Sequence, residues 1–299
     1  MKILLFGKNG QVGWELQRSL APLGELVALD RHSPDQCGDL SDLRGVAETI
    51  ESVRPDVIVN AAAYTAVDKA ESESEAARQI NADAPKIMAE AAARCGAWLV
   101  HYSTDYVFNG SGDQGWREND AVNPLSVYGL TKLQGEQAIV ASGAKHLLFR
   151  TSWVYAARGN NFAKTMLRLG RDRDSLAVID DQIGAPTGAE LIADVTAHAI
   201  RVAANNGADV SGIYHLAAKG HTSWHEYAVC ALNFARRAGI PIKVGEHDIR
   251  PIPTSQYPTP ARRPLNSRLN VDKLQTIFDL RLPDWRDGVE RMLTEIVEK

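Results

Sequence analysis

Cysteine is scarce: Cys37, Cys95 and Cys230 are the three in a chain of 299 residues. They are far apart, odd in number and in no metal-ligand spacing. That excludes a disulfide-stapled scaffold or a zinc module and fits a reduced, cytoplasmic compartment. Long hydrophobic runs are missing too. None approaches the roughly 20 residues of a membrane span, and Met1-Lys2 leads straight into an apolar segment without a signal-peptide pattern. Neither sign of charge dominates. A net charge of −4 provides no global field for nucleic acid or an acidic membrane. Repeats and low-complexity tracts are absent. A chain this long buries about three-quarters of its unfolded surface without staples and forms one large or two intertwined domains.

What is present centres on Tyr128-Gly129-Leu130-Thr131-Lys132. On a helix, Tyr128 and Lys132 share a face. A free tyrosine ionises near pH ~10, and a lysine ammonium beside it pulls that value down toward working pH. Such a pair exchanges a proton with an oxygen bound next to it. A packed ring beside a solvated amine gives the same spacing, so the surroundings must decide.

Lys2 to Phe6 reads as a buried parallel strand. Gly7, Gly10 and Gly13 follow, then an amphipathic helix to about Leu20. Strand, glycine turn and helix form the context of a dinucleotide fingerprint, with free N–H groups and a positive dipole end for a pyrophosphate. The spacing is G-x-x-G-x-x-G, not the commoner G-x-G-x-x-G. Leu26 to Asp30 reads as the second strand. Asp30 falls near the position, roughly 20 residues on, of the acid that holds an adenosine ribose. It favours NAD, while Arg31 and His32 could accept a 2′-phosphate, so NADH and NADPH both stay open. A turn cap is the plainer role for Asp30. A third strand is expected to end at Asp39-Leu40, flanking the adenine.

Asp56 to Asn60 is another buried strand, running into small residues at 61–63. A long helical segment is expected from Ser72 to about Arg94, ended by Gly96. Trp98 to Tyr102 delivers Ser103, Thr104 and Asp105 at a C-terminal strand edge, where ligands bind in open α/β sheets. Residues 109–123 are rich in Gly and Asp and read as a lid-forming loop. The Tyr128 helix and a strand at Leu147 to Arg150 complete four βα units.

The predicted fold class is α/β: a doubly wound parallel-sheet (Rossmann) domain with a smaller α+β substrate-binding lobe. Residues 1–150 form the dinucleotide-binding domain. Residues 151–299 form most of the lobe, with a discontinuous boundary and segments near 175–212 returning to the sheet. Arg171 to Asp174 reads as a solvated turn. The prolines from Pro251 to Pro264 stiffen an irregular stretch.

Gly7/Gly10/Gly13, Asp30, Thr104 and Tyr128/Lys132, taken together, resemble the extended short-chain dehydrogenase/reductase superfamily. More narrowly, STDYVF (103–108), YGLTK (128–132) with Gly135-Glu136, RTSWVY (150–155), DQIGAPT (181–187) and ARRPLNSRL (261–269) resemble the dTDP-4-dehydrorhamnose reductase family. The resemblance spans most of the chain. It implies NADH- or NADPH-dependent reduction of the C4 ketone of dTDP-4-dehydro-6-deoxy-L-mannose to dTDP-L-rhamnose, for cell-surface polysaccharide such as O-antigen or lipopolysaccharide.

It also implies roles. Tyr128 gives the proton, Lys132 lowers its pKa and holds the nicotinamide ribose, and Thr104 donates to the keto oxygen. Cofactor contacts carry over to Gly7, Gly10, Gln11, Val12, Gly13, Asp30, Asp39, Leu40, Ala63, Tyr64, Thr65 and Tyr102. Substrate contacts carry over to Thr104, Asp105, Trp153, Asn161 (with Phe162) and Arg262 (with Arg263). The family is described as forming magnesium-dependent homodimers, and Glu15, Glu190 and Glu290 are the possible Mg²⁺ ligands. Partners beyond the dTDP-4-keto-deoxyhexose and a second copy are not expected.

Dehydratases of the superfamily carry Asp-Glu after the catalytic Thr. Here the pair is Asp105-Tyr106, so the base for a C5 proton is missing. An NAD-retaining sugar-nucleotide epimerase is the first rival. A non-catalytic NADP-binding regulatory subunit of methionine adenosyltransferase is the second, and the intact Thr104, Tyr128 and Lys132 argue against it.

Overall fold

A computed structural model describes residues 1–297. The apolar run Lys2–Phe6 forms β1. It is followed by α1 (Gln11–Leu20), β2 (Glu25–Leu29), α2 (Leu43–Val53), β3 (Val57–Asn60), β4 (Trp98–Thr104) and, after the Tyr128 helix at Val127–Ala141, β5 (His146–Thr151). These strands and Gly212–His215 make one six-stranded sheet. Gly212–His215 lies at one edge, then β5, β4, β3, β1 and β2. Every pairing is parallel. Central parallel strands are covered on both faces, which is why they read as continuous apolar runs. Ile3, Leu5, Val59, Val100 and Phe149 face one core, with Leu16 of α1 and Ile192 of the helix Ala189–Asn206. Leu4, Phe6, Ile58, Leu99 and Leu148 face the other, with Met88 and Ala92 of the helix Ala84–Cys95.

The strand order reverses at β1, with β2 on one side and β3 on the other. That switch point opens a crevice at the strands' C-terminal ends. The glycine turn sits in it. Gly7 has φ +87°, and a Cβ there would approach Ala62 N to 2.7 Å. A Cβ on Gly13 would lie 2.0 Å from Gly7 O, so only glycine lets α1 pack this close to β1.

The third strand expected to end at Asp39-Leu40 does not form. The chain between β2 and α2 is irregular. Pro34 and Gly38 interrupt it, and Leu40 inserts into the core instead. The expected helix from Ser72 to Arg94 is present as one continuous run from Ser74 to Cys95, with a π-turn at Gln79–Asp83 inside it and Gly96 capping its end. The π-turn aims buried Asn81 outward to bond Tyr64 N and O and Thr131 Oγ1. The helix Phe162–Asp172 runs into the charge run read as a turn.

A second lobe packs helices Phe162–Asp172, Trp224–Arg237 and Trp285–Val297 around Tyr227, Leu232, Trp285 and Leu293. The strand Leu176–Ile179 belongs here, paired with Ile249–Ile252 and not with the sheet. The chain returns to the sheet with the helix Ala189–Asn206 and the strand Gly212–His215. It returns again near the C-terminus, where Leu274, Phe278 and Leu282 join the sheet's core.

The loop at 109–123 is anchored, contrary to the expected lid. Trp116 stacks on Phe108 at 4.7 Å. Its indole donates to Asn266 O at 3.0 Å, and its backbone pairs with Arg268 and Asn270. Glu298 and Lys299 lie outside the described residues.

Candidate active site

β4 carries Thr104 to the C-terminal edge of the sheet, and the Tyr128 helix starts above it. Ser126 caps that helix, its Oγ accepting Gly129 N at 3.2 Å. A Cβ at position 129 would come within 2.3 Å of Tyr106 O, so glycine is what seats the helix against the end of β4. The result is a line of hydroxyls. The Thr104 hydroxyl is close enough to Tyr128 to favour its phenolate. Thr104 Oγ1 donates to Asp105 Oδ1 at 3.1 Å and accepts Tyr106 N at 3.2 Å. Tyr106 packs edge-on against Tyr128, ring centres 5.5 Å apart. Asp105 is buried, with Oδ2 unpaired among the described residues. Burial pushes its carboxyl up to about 6.

Lys132 is 1% exposed. Its Nζ donates to Tyr102 O at 2.6 Å and lies 3.1 Å from His101 Nε2. The expected lowering of the Tyr128 pKa is not in place. Burial instead pushes the phenol up to about 12, with Thr104 opposing it. Lys132 is itself brought down to about 8, because burial disfavours its charge more than Glu136 supports it. Tyr128 is therefore fully protonated at neutral pH, the form a proton donor needs.

The remaining positions expected to hold a dinucleotide lie at or beyond the C-terminal ends of β1, β2, β3 and β4. α1 has no side-chain cap at Gly10, leaving its first turn open to a phosphate. Gln11 Nε2 reaches across to Asn160 O at 3.1 Å, and Val12 packs on the core below. Asp30 stands just past β2. Its Oδ1 accepts His32 N at 2.8 Å and its Oδ2 accepts Asn9 Nδ2 at 2.7 Å, with Lys8 Nζ at 3.4 Å. The turn-capping role is therefore in place. Asp39 pairs with Arg31 at 3.1 Å and holds Ser41. Ala63, Tyr64 and Thr65 follow β3 beside the glycine turn. Asn81 clamps the Tyr64 backbone, and Tyr64 OH donates to Glu73 at 2.7 Å. Tyr102 contributes its carbonyl. Its hydroxyl points to the far face, 2.8 Å from Thr196 Oγ1. The glycine cradle, the open helix end and the acid at the end of β2 fit a dinucleotide.

In the second lobe Trp153 has a left-handed φ of +49°, a conformation bulky residues seldom adopt. It stacks on Trp224, ring centres 3.6 Å apart. Trp224 Nε1 donates to Gln182 Oε1 at 3.1 Å. Trp224, but not Trp153, borders a cavity of about 650 Å³ lined also by Phe162, Met166, Gln182, Tyr257 and Arg263. Asn161 is spent as a helix cap: Oδ1 accepts Lys164 N and Nδ2 donates to Ala156 O. Arg262 is exposed. Arg263 lines the cavity in its place, pairing with Asp68 at 2.8 Å and touching Tyr106. Sequence reasoning missed Trp224, Gln182, Asn60 and His101. Two tryptophans flanking DQIGAPT were the only signal available for the first pair.

Of the glutamates considered for a metal, Glu15 and Glu190 lie near each other and Glu290 is not among the groups that act on Glu190. Glu15 pairs with Arg18, and Glu190 lies near Glu15, Arg291 and Glu295. Glu290 pairs with Arg237. Of the same helix, Arg291 and Glu295 are the groups that act on Glu190. No group of three or more potential ligands gathers among the described residues.

A parallel sheet with a glycine turn at its switch point, joined to a Thr/Tyr/Lys constellation at the next strand end, defines an NAD(P)-dependent oxidoreductase of the extended short-chain dehydrogenase/reductase type. The RmlD substrate binding domain model matches residues 1–298. The chain is 64% identical to dTDP-4-dehydrorhamnose reductase of Escherichia coli K12, over 99% of this chain and 98% of that protein. The Burkholderia thailandensis reductase is 47% identical over the whole of both chains. A Bacillus anthracis dTDP-4-dehydrorhamnose reductase solved with NADP superposes with a TM-score of 0.86 at 34% identity, covering 98% of this chain and 99% of that one. The chain belongs to the dTDP-4-dehydrorhamnose reductase family.

Proposed function

We propose that this protein reduces the C4 ketone of dTDP-4-dehydro-6-deoxy-L-mannose with NADPH or NADH, giving dTDP-L-rhamnose for cell-surface polysaccharide. The observation that carries this is the convergence of the Tyr128 and Thr104 hydroxyls at the end of β4, beside the glycine cradle.

The bound dinucleotide supplies hydride to the carbonyl carbon. The chain's own residues do the rest. The open first turn of α1 holds the pyrophosphate, and Asp30 and Asp39 hold the adenosine ribose. Thr104 donates to the keto oxygen and orients it. Tyr128, protonated because burial raises its pKa, gives its proton to that oxygen as negative charge develops there. Lys132, within one helical turn, meets the nicotinamide ribose and, when charged, steadies the resulting phenolate. Trp153 presents a flat apolar face to the pyranose. Arg263 offers a fork for the diphosphate. Asp105 completes the sugar contacts.

Two further parts of this reading rest on the family resemblance. The working form is a homodimer, which sedimentation of the purified protein as a monomer would contradict. The location is cytoplasmic; no helix among the described residues is long and apolar enough to cross a membrane. Magnesium is given no step; Glu15 and Glu190 lie near each other, and no third ligand joins them among the described residues.

The direct test is a reaction with nicotinamide deuterated at the transferred position and an enzymatically generated 4-keto sugar nucleotide. Deuterium at C4 of a dTDP-L-rhamnose product is expected. Unlabelled product, or an interconverted keto sugar, overturns the proposal.

A further inference from the structure

Beneath the reacting groups lies a polar chain that the mechanism above does not use. Asn60 ends β3 and His101 lies in β4, and the two are direct register partners. Parallel register partners project to the same face of a sheet. Here that is the face covered by the Tyr128 helix, so Asn60, His101 and Lys132 fall in line. Each is 1% exposed. Asn60 Nδ2 is 3.1 Å from His101 Nδ1, and His101 Nε2 is 3.1 Å from Lys132 Nζ.

The direction of these bonds is forced from one end. Ala62 N–H is a backbone donor, and it points at Asn60 Oδ1 from 3.1 Å. The amide orientation is thereby assigned, because an amide nitrogen there would set donor against donor. Nδ2 then faces the imidazole and can only donate, so His101 Nδ1 accepts and carries no proton. A neutral imidazole must carry its single proton on the other nitrogen. His101 Nε2–H thus points at Lys132 Nζ. An ammonium has nothing with which to accept it. A neutral amine does, and still donates to Tyr102 O.

We propose that Asn60 and His101 are positioning residues that act through Lys132: Asn60 fixes His101 as the Nε2–H tautomer, and that N–H favours the neutral amine at Lys132.

The groups facing Lys132 agree with this assignment. His101 and the Tyr102 carbonyl approach from β4. Tyr128 and Glu136 lie on its own helix, and Glu136 is neutralised by Arg150 of β5 at 2.7 Å. Among the described residues, Glu136 is the one carboxylate that acts on Lys132. Burial moves His101 well below its ordinary pKa, so the ring is neutral, and moves Lys132 in the same direction. The consequence for turnover rests on the reductase reading. If a charged Lys132 steadies the Tyr128 phenolate, the Asn60–His101 pair sets the alkaline limit of activity.

Two measurements on the whole protein need no substrate, and so separate this inference from the reductase reading. With histidine labelled in both ring nitrogens, NMR of the unmutated protein at neutral pH should show His101 as Nε2–H. With lysine labelled at Cε, Lys132 should titrate well below an ordinary lysine. Asn60→Ala frees the ring to take the other tautomer and offer Lys132 a lone pair. The Lys132 midpoint should then rise by about one pH unit, and the alkaline limb of kcat/KM should move with it. His101→Gln, which can keep an N–H toward Nζ, should restore most of the unmutated midpoint. An Nδ1–H tautomer or an imidazolium in the unmutated protein overturns the proposal, and so does an unmoved midpoint in Asn60→Ala. If that variant fails to fold, the tautomer in the unmutated protein decides alone.

Discussion

Arg150 and Glu136 form a fork-to-fork ion pair inside the protein, at 2.7 to 3.2 Å, with side chains 3% and 2% exposed. The pair ties β5 to the Tyr128 helix one turn beyond Lys132. Arg150 also donates to Glu118 O and stands over the Phe108 ring. It therefore fastens the 109–123 loop to the floor of the site. Removing one partner strands a buried charge. Arg150→Ala should cost about 3–5 kcal/mol of folding stability, measured by denaturant unfolding. A loss under about 1 kcal/mol, the range of an exposed pair, would contradict this role.

Tyr128→Phe removes the proton donor and leaves the dinucleotide cradle untouched. Turnover should fall by roughly 10²-fold or more while NADPH binding, followed by fluorescence, stays within a few-fold. Near-normal turnover would remove Tyr128 from the chemistry.

Asp30 carries a full negative charge, since the His32 backbone N–H, with Lys8 and Asn9, holds its carboxyl below the usual range. A 2′-phosphate would meet that charge beside Lys8 and Arg31. Asp30→Ala should raise the NADPH/NADH ratio of kcat/KM by roughly tenfold, because it removes a negative charge facing the 2′-phosphate. An unchanged ratio would show that Asp30 does not face the ribose.

Trp153 is held in its left-handed conformation against Trp224. Trp224→Ala should release the upper ring and raise the KM for the sugar nucleotide by roughly tenfold, with the KM for NADPH unaffected. The expected loss matches an aromatic pair of about 0.5–1.5 kcal/mol plus a displaced sugar contact. A rise confined to the NADPH KM would contradict the assignment.

The Asp105 carboxyl is raised by burial from 3.8 to about 6. The folded chain therefore binds this proton more tightly than the unfolded chain. The associated stabilisation is fully present below the unfolded value and is lost as pH rises through about 6. Asp105→Asn keeps the shape and removes the titration. Relative to this variant, the unmutated protein should lose up to about 3 kcal/mol between pH about 4 and 7. Parallel stability–pH curves would contradict the burial argument.

The sheet was legible in the sequence where strands are buried on both faces, as in Lys2–Phe6 and Val57–Asn60, because those runs are continuously apolar. The glycine turn and Asp30 followed from spacing alone. Tyr128 and Lys132 were legible as one helix face, but their pKa values were not. Spacing does not report burial, and burial decides both. The missing strand before Leu40 and the misplaced Arg262 come from the same limit: neighbouring residues differ in which one faces inward. Asn60–His101 and Trp153–Trp224 depend on strand register and on the second lobe folding back, which link residues 41 and 71 positions apart.

The most direct test follows the loss of reduced-nicotinamide absorbance on adding dTDP-4-dehydro-6-deoxy-L-mannose to purified protein, beside Tyr128→Phe under the same conditions. Rapid loss that needs the sugar nucleotide and all but vanishes in the variant is the expected result. Tight dinucleotide binding with no sugar-dependent loss would contradict the reductase.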